Sequence, residues 1–429
     1  MEKYIVRGGV PLIGDVEVSG MKNAALPILY ATILVGGKCT LEHIPNISDV
    51  LVTLEILKGM GAEIRMINKT TYEIDTTNVR GGTSDYQLVR TIRGSYYLLG
   101  CEMGRFGRAH VGYPGGCDFG SRPIDFHIKG FEALGGNVRT EGGYITITTP
   151  NGIHGANIYF DGSSVGATIN VMMAAVLAKG TTTIDNAAKE PHVVDVANFL
   201  NTCGAKITGA GTDVIKIRGV ERLHGCNYAI IPDMIEAGTY MIAAVATNGK
   251  IRVNNVIPKH LESVAAKLEE VGAIVEMLDD SVIVTSTGKI RKTTVKTLPY
   301  PGFPTDLHPQ FAALLSVANG VSYITETIWE KRFRYVNELN CMGANIKVDG
   351  NTAVIEGVPE LSSACVKAVD LRAGCAVLIA GLMAKGKTEI YDIKYIERGY
   401  DDIVTKLSGL GANIMKVYVP EGISAQRAN

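Results

Sequence analysis

Leu57-Lys58-Gly59-Met60-Gly61-Ala62-Glu63-Ile64 reads as the tail of a helix, a glycine stop, and the start of a strand. The same phrase returns at Leu134-Gly135-Gly136-Asn137-Val138 and at Leu200-Asn201-Thr202-Cys203-Gly204-Ala205-Lys206-Ile207. It returns again around Gly272-Ala273, Gly343-Ala344 and Gly411-Ala412, each time after a leucine-bearing helix tail. The spacing is about 70 residues, longer than the common solenoid periods, and one such unit is small for an independent domain. Six copies therefore predict two domains of three units, with a cleft between them.

Each unit opens with a short strand and a helix of small apolar residues. Examples are Lys22-Asn23-Ala24-Ala25-Leu26, Val165-Gly166-Ala167-Thr168-Ile169 and Asp370-Leu371-Arg372-Ala373-Gly374, with further starts near Arg93, Glu236 and Asp306. Helices apolar on nearly every side belong in the middle of a domain. A glycine turn and a strand follow, as at Gly180-Thr181-Thr182-Thr183-Ile184. An amphipathic helix such as 260–271 comes next, then alternating strands such as Tyr144-Ile145-Thr146-Ile147-Thr148. The predicted fold is α/β: a two-domain inside-out α/β barrel of six βαβαββ repeats, helices inside and sheets outside. Residues 21–230 form one domain. Strand-like runs in residues 1–20 cross over to join 231–419 in the other, and 420–429 read as a tail.

The chain has 429 residues, room for two domains of roughly 200. Hydrophobic residues make up 46% and charged residues 20%, which predicts a globular chain with large cores. A net charge of −1 gives no field to attract nucleic acid or an anionic membrane. The longest uncharged stretch, Gly162 to Ala178, is short and polar for a membrane span, and no apolar signal core follows Glu2 and Lys3. A cytoplasmic protein is expected. The eight cysteines contain no C-x-x-C pair, so neither a disulfide framework nor a zinc site is expected from their spacing. No P-loop, dinucleotide fingerprint, H-E-x-x-H or G-x-S-x-G occurs, and no metal or redox cofactor is expected.

Polar groups at the first turns of apolar helices are the first functional candidates: Lys22 with Asn23, Arg93, Ser164, Asp306, and Asp370 with Arg372. Helix N-termini attract anions, and cations there deepen such a site; the alternative for Lys22 and Arg93 is solvation at a domain end. Asp306, in Pro304-Thr305-Asp306, is either a functional carboxylate or a helix cap. The second candidate is Gly112-Tyr113-Pro114-Gly115-Gly116-Cys117-Asp118-Phe119-Gly120-Ser121-Arg122-Pro123, whose four Gly and two Pro exclude a regular element. It is a surface turn or a lid over about 111–122, and Cys117 on it is a candidate nucleophile or proton donor. The other seven cysteines read as core filling. The third candidate is the pair Arg332 and Arg398, each placed between a strand and the second helix of a unit, suited to bidentate grip or to ordinary surface ion pairs.

Ser19-Gly20-Met21-Lys22-Asn23-Ala24, Pro114-Gly115-Gly116-Cys117 with Arg122-Pro123-Ile124-Asp125, Pro304-Thr305-Asp306, Ile324 through Arg332-Phe333, and Arg398-Gly399-Tyr400 occur in this order. Together they resemble the enolpyruvyl transferase family, and within it the UDP-N-acetylglucosamine 1-carboxyvinyltransferases of early peptidoglycan synthesis, over essentially the whole chain. The resemblance implies phosphoenolpyruvate and UDP-N-acetylglucosamine as substrates and phosphate as a product. It implies Cys117 as proton donor and as the site of a pyruvate-phosphate thioketal adduct, and Asp306 as base. Lys22, Asn23, Arg122 and Arg398 would grip phosphoenolpyruvate. Arg93, Arg122, Pro123, Ile124, Asp125, Phe126, Ser164, Val165, Gly166, Asp306 and Ile328 would surround the UDP-sugar, with Arg332, Asp370 and Arg372 as further cleft residues. A cysteine at 117 implies sensitivity to the epoxide fosfomycin. Two positions depart from the family pattern: Phe126, where Leu is common, and Met234, where Arg is usual. Two other functions stay open: the shikimate-pathway enolpyruvyl transferase, and a non-catalytic UDP-sugar-binding regulator. The first has Lys-Ser in place of Lys22-Asn23 and no loop cysteine. The second should have lost one of Lys22, Cys117, Asp306 and Arg398.

Overall fold

The computed structural model of the chain describes residues 2–115 and 124–418. The fold is mixed α/β, and the chain divides into two compact units, Gly20–Ile231 and Met1–Ser19 with Pro232–Asn429. Among the described residues no helix is long and apolar enough to cross a membrane. Cys117, Arg122 and Pro123, most of the 111–122 loop, and the 420–429 tail lie outside the described residues.

All six copies of the opening phrase have one geometry. Gly61, Gly135, Gly204, Gly272, Gly343 and Gly411 have φ of 104°, 98°, 99°, 105°, 89° and 94°. Two N–H groups close each helix end. Gly61 N donates to Lys58 O at 2.9 Å and Ala62 N to Leu57 O at 3.0 Å, and Gly272, Ala273, Gly411 and Ala412 do the same in their units. This is the Schellman arrangement, and only glycine reaches that φ without strain. An ideal Cβ on Gly61 would also sit 2.8 Å from the Asn78 carbonyl oxygen. Gly61→Ala is therefore expected to cost about 1–3 kcal/mol in denaturant unfolding. Gly59→Ala, where an added Cβ meets nothing within 4 Å, is expected to cost almost nothing.

Within Gly20–Ile231, the helices Lys22–Val35, Tyr97–Phe106 and Val165–Ala175 pack on one another. Lys22–Val35 and Val165–Ala175 are buried along nearly their whole lengths. Three sheets accompany them, and the late strand Asn227–Ala229 pairs parallel with the first strand of the unit, Lys38–Glu42. In the other unit Met234–Ala246, His308–Leu315 and Leu371–Met383 pack together, almost entirely buried. There Glu2–Gly8 lies between Gly386–Tyr391 and Asn413–Tyr418, and Ile13–Glu17 runs parallel to Lys250–Asn254. Strand alternation sets which face is covered: Ile145 and Ile147 of Tyr144–Thr148 point inward, and their neighbours do not.

Three helix starts differ from the sequence expectation. A 3-10 turn Arg93–Tyr96 precedes Tyr97–Phe106, because Ser95 Oγ turns back to the Val89 and Ile92 carbonyls at 2.7 and 2.8 Å. Pro258–Leu261 is likewise a 3-10 turn before Glu262–Glu270, and Thr305–Leu307 one before His308–Leu315.

Candidate active site

The 3-10 turn Thr305–Leu307 sets Asp306 between two arginines. Its Oδ1 accepts from Arg332 Nη2 at 2.8 Å, and its Oδ2 accepts from Arg372 Nε at 3.2 Å and Nη2 at 3.0 Å. The arginine side chains are 2% and 3% exposed, whereas that of Asp306 is 27% exposed, so the carboxylate reaches solvent more than the cations that hold it. Burial works against the charge of Arg372, and Asp306 together with Tyr400, Asp233 and Cys375 outweighs it, so this guanidinium is held firmly protonated. The helix-cap alternative for Asp306 is set aside: the helix His308–Leu315 has Leu307 at its N-cap and no side-chain cap bond. The surface-pair alternative for Arg332 fails too, since that side chain is buried. Asp370, by contrast, is a cap. Its Oδ1 accepts from the Arg372 and Ala373 N–H groups at 2.9 Å each, and this fixes the helix turn from which Arg372 reaches Asp306.

Glu326 organises the same corner and was missed as a functional position. It accepts from Thr297 Oγ1 at 2.9 Å, Thr305 Oγ1 at 2.8 Å, His308 Nδ1 at 2.7 Å, Ile328 N at 2.6 Å and Trp329 N at 3.1 Å. Burial would raise its proton affinity, but His308 and the other donors win and hold the carboxyl at about 2. Burial pushes His308 down, so the ring is a neutral Nδ1–H donor. Ile328 thus has its amide committed inward. Arg398 ends the 3-10 turn Ile393–Arg398, half-buried, before buried Tyr400, whose ring lies 5.4 Å from the Arg372 guanidinium. Met234 is buried in the first turn capped by Asp233.

In Gly20–Ile231, Lys22 opens its helix and pairs with Asp49 Oδ2 at 2.8 Å; both side chains are buried. Removing one partner of such a pair costs about 3–5 kcal/mol. Lys22 is therefore not a solvated end group, and Asp49 is a partner that motif reading missed. Asn23 beside it is half-buried. Arg93 lies over the Tyr96 ring at 5.6 Å, and Tyr96 meets the His127 ring at 4.9 Å. His127 is buried and pushed down to about 3, by desolvation first and by Arg93 second; Asn170 Nδ2 lies 2.9 Å from its Nδ1. Ser164 caps Val165–Ala175 through Ala167 N at 3.3 Å. A Cβ on Gly166 would fall 2.6 Å from Tyr96 Oη and 3.1 Å from His127 Cε1, so a side chain here would have to displace the Tyr96 ring. Phe126, half-buried in Asp125–Ala133, faces Phe160 at 5.7 Å; Ile124 is buried and Asp125 exposed. The structure thus brings Arg93, Tyr96, His127 and Gly166 together. Tyr96, His127 and Asn170 carry no signal of their own in the sequence.

The expectation of core filling fails for part of the cysteine set. Cys341 and Cys365 are exposed at a helix end and on a short edge strand. Cys39, Cys203 and Cys226 converge with all three sulfurs within 4.8 Å. Sequence spacing misses this because the three stand far apart along the chain.

In one unit the clamped carboxylate Asp306 suits proton transfer; in the other, taken by itself, the buried lysine at a helix start suits an anion. Comparison with known proteins names the class. Residues 6–407 match the family model described as EPSP synthase (3-phosphoshikimate 1-carboxyvinyltransferase). The chain belongs to this carboxyvinyltransferase family and is a transferase. It is 54% identical over 418 residues to the UDP-N-acetylglucosamine 1-carboxyvinyltransferase of Clostridium botulinum, covering 97% of this chain and 100% of that one. It is 52% identical to the UDP-N-acetylglucosamine 1-carboxyvinyltransferase 2 of Geobacillus kaustophilus, covering 97% of each. Among solved structures, the enolpyruvyl transferase NikO from Streptomyces tendae superposes with a TM-score of 0.86 at 26% identity, covering 98% of this chain and 99% of that chain. EPSP synthase from Acinetobacter baumannii shares the fold, with a TM-score of 0.74 at 17% identity over 97% of this chain and 100% of that one.

Proposed function

We infer that this chain is a UDP-N-acetylglucosamine 1-carboxyvinyltransferase, which moves the enolpyruvyl group of phosphoenolpyruvate to the sugar 3-hydroxyl and releases phosphate, a step in peptidoglycan synthesis. Near-full-length relatives of that name support it. The observation that carries the chemistry is Asp306, held on both oxygens by buried arginines while its own side chain is 27% exposed.

The hydroxyl oxygen adds to C2 of phosphoenolpyruvate as its proton passes to Asp306. C3 gains a proton from Cys117, giving a tetrahedral intermediate. Return of a C3 proton to the Cys117 thiolate then breaks the C2–O bond to phosphate and restores the double bond. Lys22, Arg122 and Arg398, with Asn23, grip the phosphate and carboxylate and neutralise their charge as the intermediate forms. Arg332 and Arg372 are positioning residues for Asp306. Arg93, Arg122, Pro123, Ile124, Asp125, Phe126, Ser164 to Gly166 and Ile328 receive the UDP-sugar. The proposed architecture is an inside-out α/β barrel of three repeats in 21–230, which also carries the lid, and another in 1–20 with 231–419.

Phosphate release from phosphoenolpyruvate, measured with UDP-N-acetylglucosamine and in parallel with shikimate 3-phosphate, tests this. Release with the UDP-sugar alone is expected. Release with the shikimate ester alone would make the chain a 3-phosphoshikimate 1-carboxyvinyltransferase, and no release with either would favour a binding role. Cys117→Asp is expected to retain turnover and to lose inactivation by fosfomycin, since a carboxylic acid still donates the proton but is a poor nucleophile toward the epoxide. Inactivation of that variant would place the epoxide on another cysteine.

A further inference from the structure

Cys39 lies on the strand Lys38–Glu42, Cys203 follows the helix Pro191–Thr202, and Cys226 immediately precedes the strand Asn227–Ala229. All three belong to Gly20–Ile231. Cys39 and Cys203 are buried and Cys226 is half-buried. The sulfurs lie within 4.8 Å of one another, with Cys203 and Cys226 at 3.3 Å. The backbone around them is fixed: Thr40 N donates to Cys226 O at 2.9 Å, and His224 N donates to Cys203 O at 2.9 Å. A Cβ on Gly225 would lie 1.9 Å from Lys38 O, so the two strands meet closely at this point.

We propose that Cys39, Cys203 and Cys226 form a three-thiolate site for a soft cation of the zinc class, tying the first and third repeats of this unit where its last strand returns to its first. None of the three takes part in the chemistry assigned to Asp306, Lys22 or Arg398. Three thiols turned toward one shared point make only weak hydrogen bonds to one another, whereas thiolates are the preferred ligands of zinc and copper(I). Zinc–sulfur bonds of about 2.3 Å in tetrahedral geometry need sulfurs about 3.8 Å apart, so the Cys203–Cys226 pair, at 3.3 Å, has only to open by about half an ångström. Among the described residues no fourth His, Cys, Asp or Glu joins the group, which leaves the fourth position to water on the half-exposed Cys226 side. Each metal–sulfur bond forms as the thiol proton leaves to solvent, and no electron is transferred. The ion would close the long chain segment between 39 and 203, which is where a cross-link adds most to stability.

Reduced full-length protein titrated with cobalt(II) as the probe is expected to bind about one ion per chain, with thiolate-to-metal charge-transfer absorption that zinc abolishes. Zinc is expected to raise the melting temperature and a chelator to lower it. Cys39→Ser and Cys226→Ser should lose the absorption, while Cys341→Ser, Cys365→Ser and Cys117→Asp keep it. If Cys39→Ser fails to fold, Cys226→Ser, at the half-exposed position, decides the matter. Absence of the absorption in the reduced wild type would overturn the site, as would its survival in Cys226→Ser or its loss in Cys341→Ser. A Cys203–Cys226 disulfide in metal-free protein purified without reductant would overturn it in favour of a redox pair.

Discussion

Asp306→Asn is expected to lower turnover with UDP-N-acetylglucosamine by about 10²–10⁴-fold, the usual contribution of a positioned general base. The change in KM should be smaller, because the amide keeps the volume of the carboxylate. The geometry makes the substitution harsher than a loss of basicity alone. Both oxygens of Asp306 accept from guanidinium N–H groups, so an amide must turn its NH2 toward either Arg332 or Arg372. A donor then faces a donor behind a 27% exposed edge, and a buried cation loses its partner. Rate and stability separate the two effects. A thermal shift without loss of rate would leave Asp306 as a structural clamp. Turnover above about a tenth of wild type would place the base elsewhere. Arg372→Lys is the companion variant: one ammonium cannot reproduce the two bonds to Oδ2, so Asp306 should rotate and turnover should fall even with the carboxylate present.

Glu326→Gln is expected to destabilise the protein by about 3 kcal/mol or more, the cost of turning a buried acceptor of charge-assisted bonds into a partial donor. Five donors converge on this carboxylate, and Gln can satisfy only those that face its remaining oxygen. Thr305 and His308 flank Asp306, so activity should fall with stability. The same residue shapes the acid response. Its folded-state value of about 2 is depressed below the ordinary carboxylate range, so the unfolded chain binds the extra proton. That contribution, up to about 3 kcal/mol, is complete above about pH 4.3 and is lost as pH falls toward the folded value. His308 is depressed as well, chiefly by burial, so its own contribution begins to fade below about pH 6.5. Denaturation midpoints followed from pH 7 downward should show both losses in the wild type. Glu326→Gln should keep the upper one and flatten the lower one. An unchanged slope below pH 4 would remove Glu326 as the acid-sensitive group.

How far the sequence could be read depends on how locally each feature is encoded. The six glycine phrases were legible because a φ near +100° selects one residue type, whatever surrounds it. Val165–Ala175 and Leu371–Met383 were legible as buried helices because they carry almost no polar side chain to face water. The 3-10 starts at Arg93 and Thr305 were not, since Ser95 and Thr305 choose partners that the local pattern does not display. Lys22, Arg332 and Asp306 stood out as polar groups at apolar helix starts or in motifs. Their pairing did not: Asp49, Glu326 and His308 look like ordinary residues until the chain has folded.

The sequence by itself thus determined the repeat, the helix stops, the mixed α/β class and the family, because backbone preference and motif order are properties of short neighbouring stretches. Tertiary structure alone decided which charges meet. Arg332 and Arg372 reach Asp306 from 26 and 66 residues away, and Asp370 looks like Asp306 in sequence yet serves as a helix cap. It also decided that Cys39, Cys203 and Cys226 share one point while Cys341 and Cys365 face solvent. Side-chain convergence of this kind is fixed by how buried helices and paired strands pack, and that packing sums contacts over the whole unit rather than over any stretch a motif can hold.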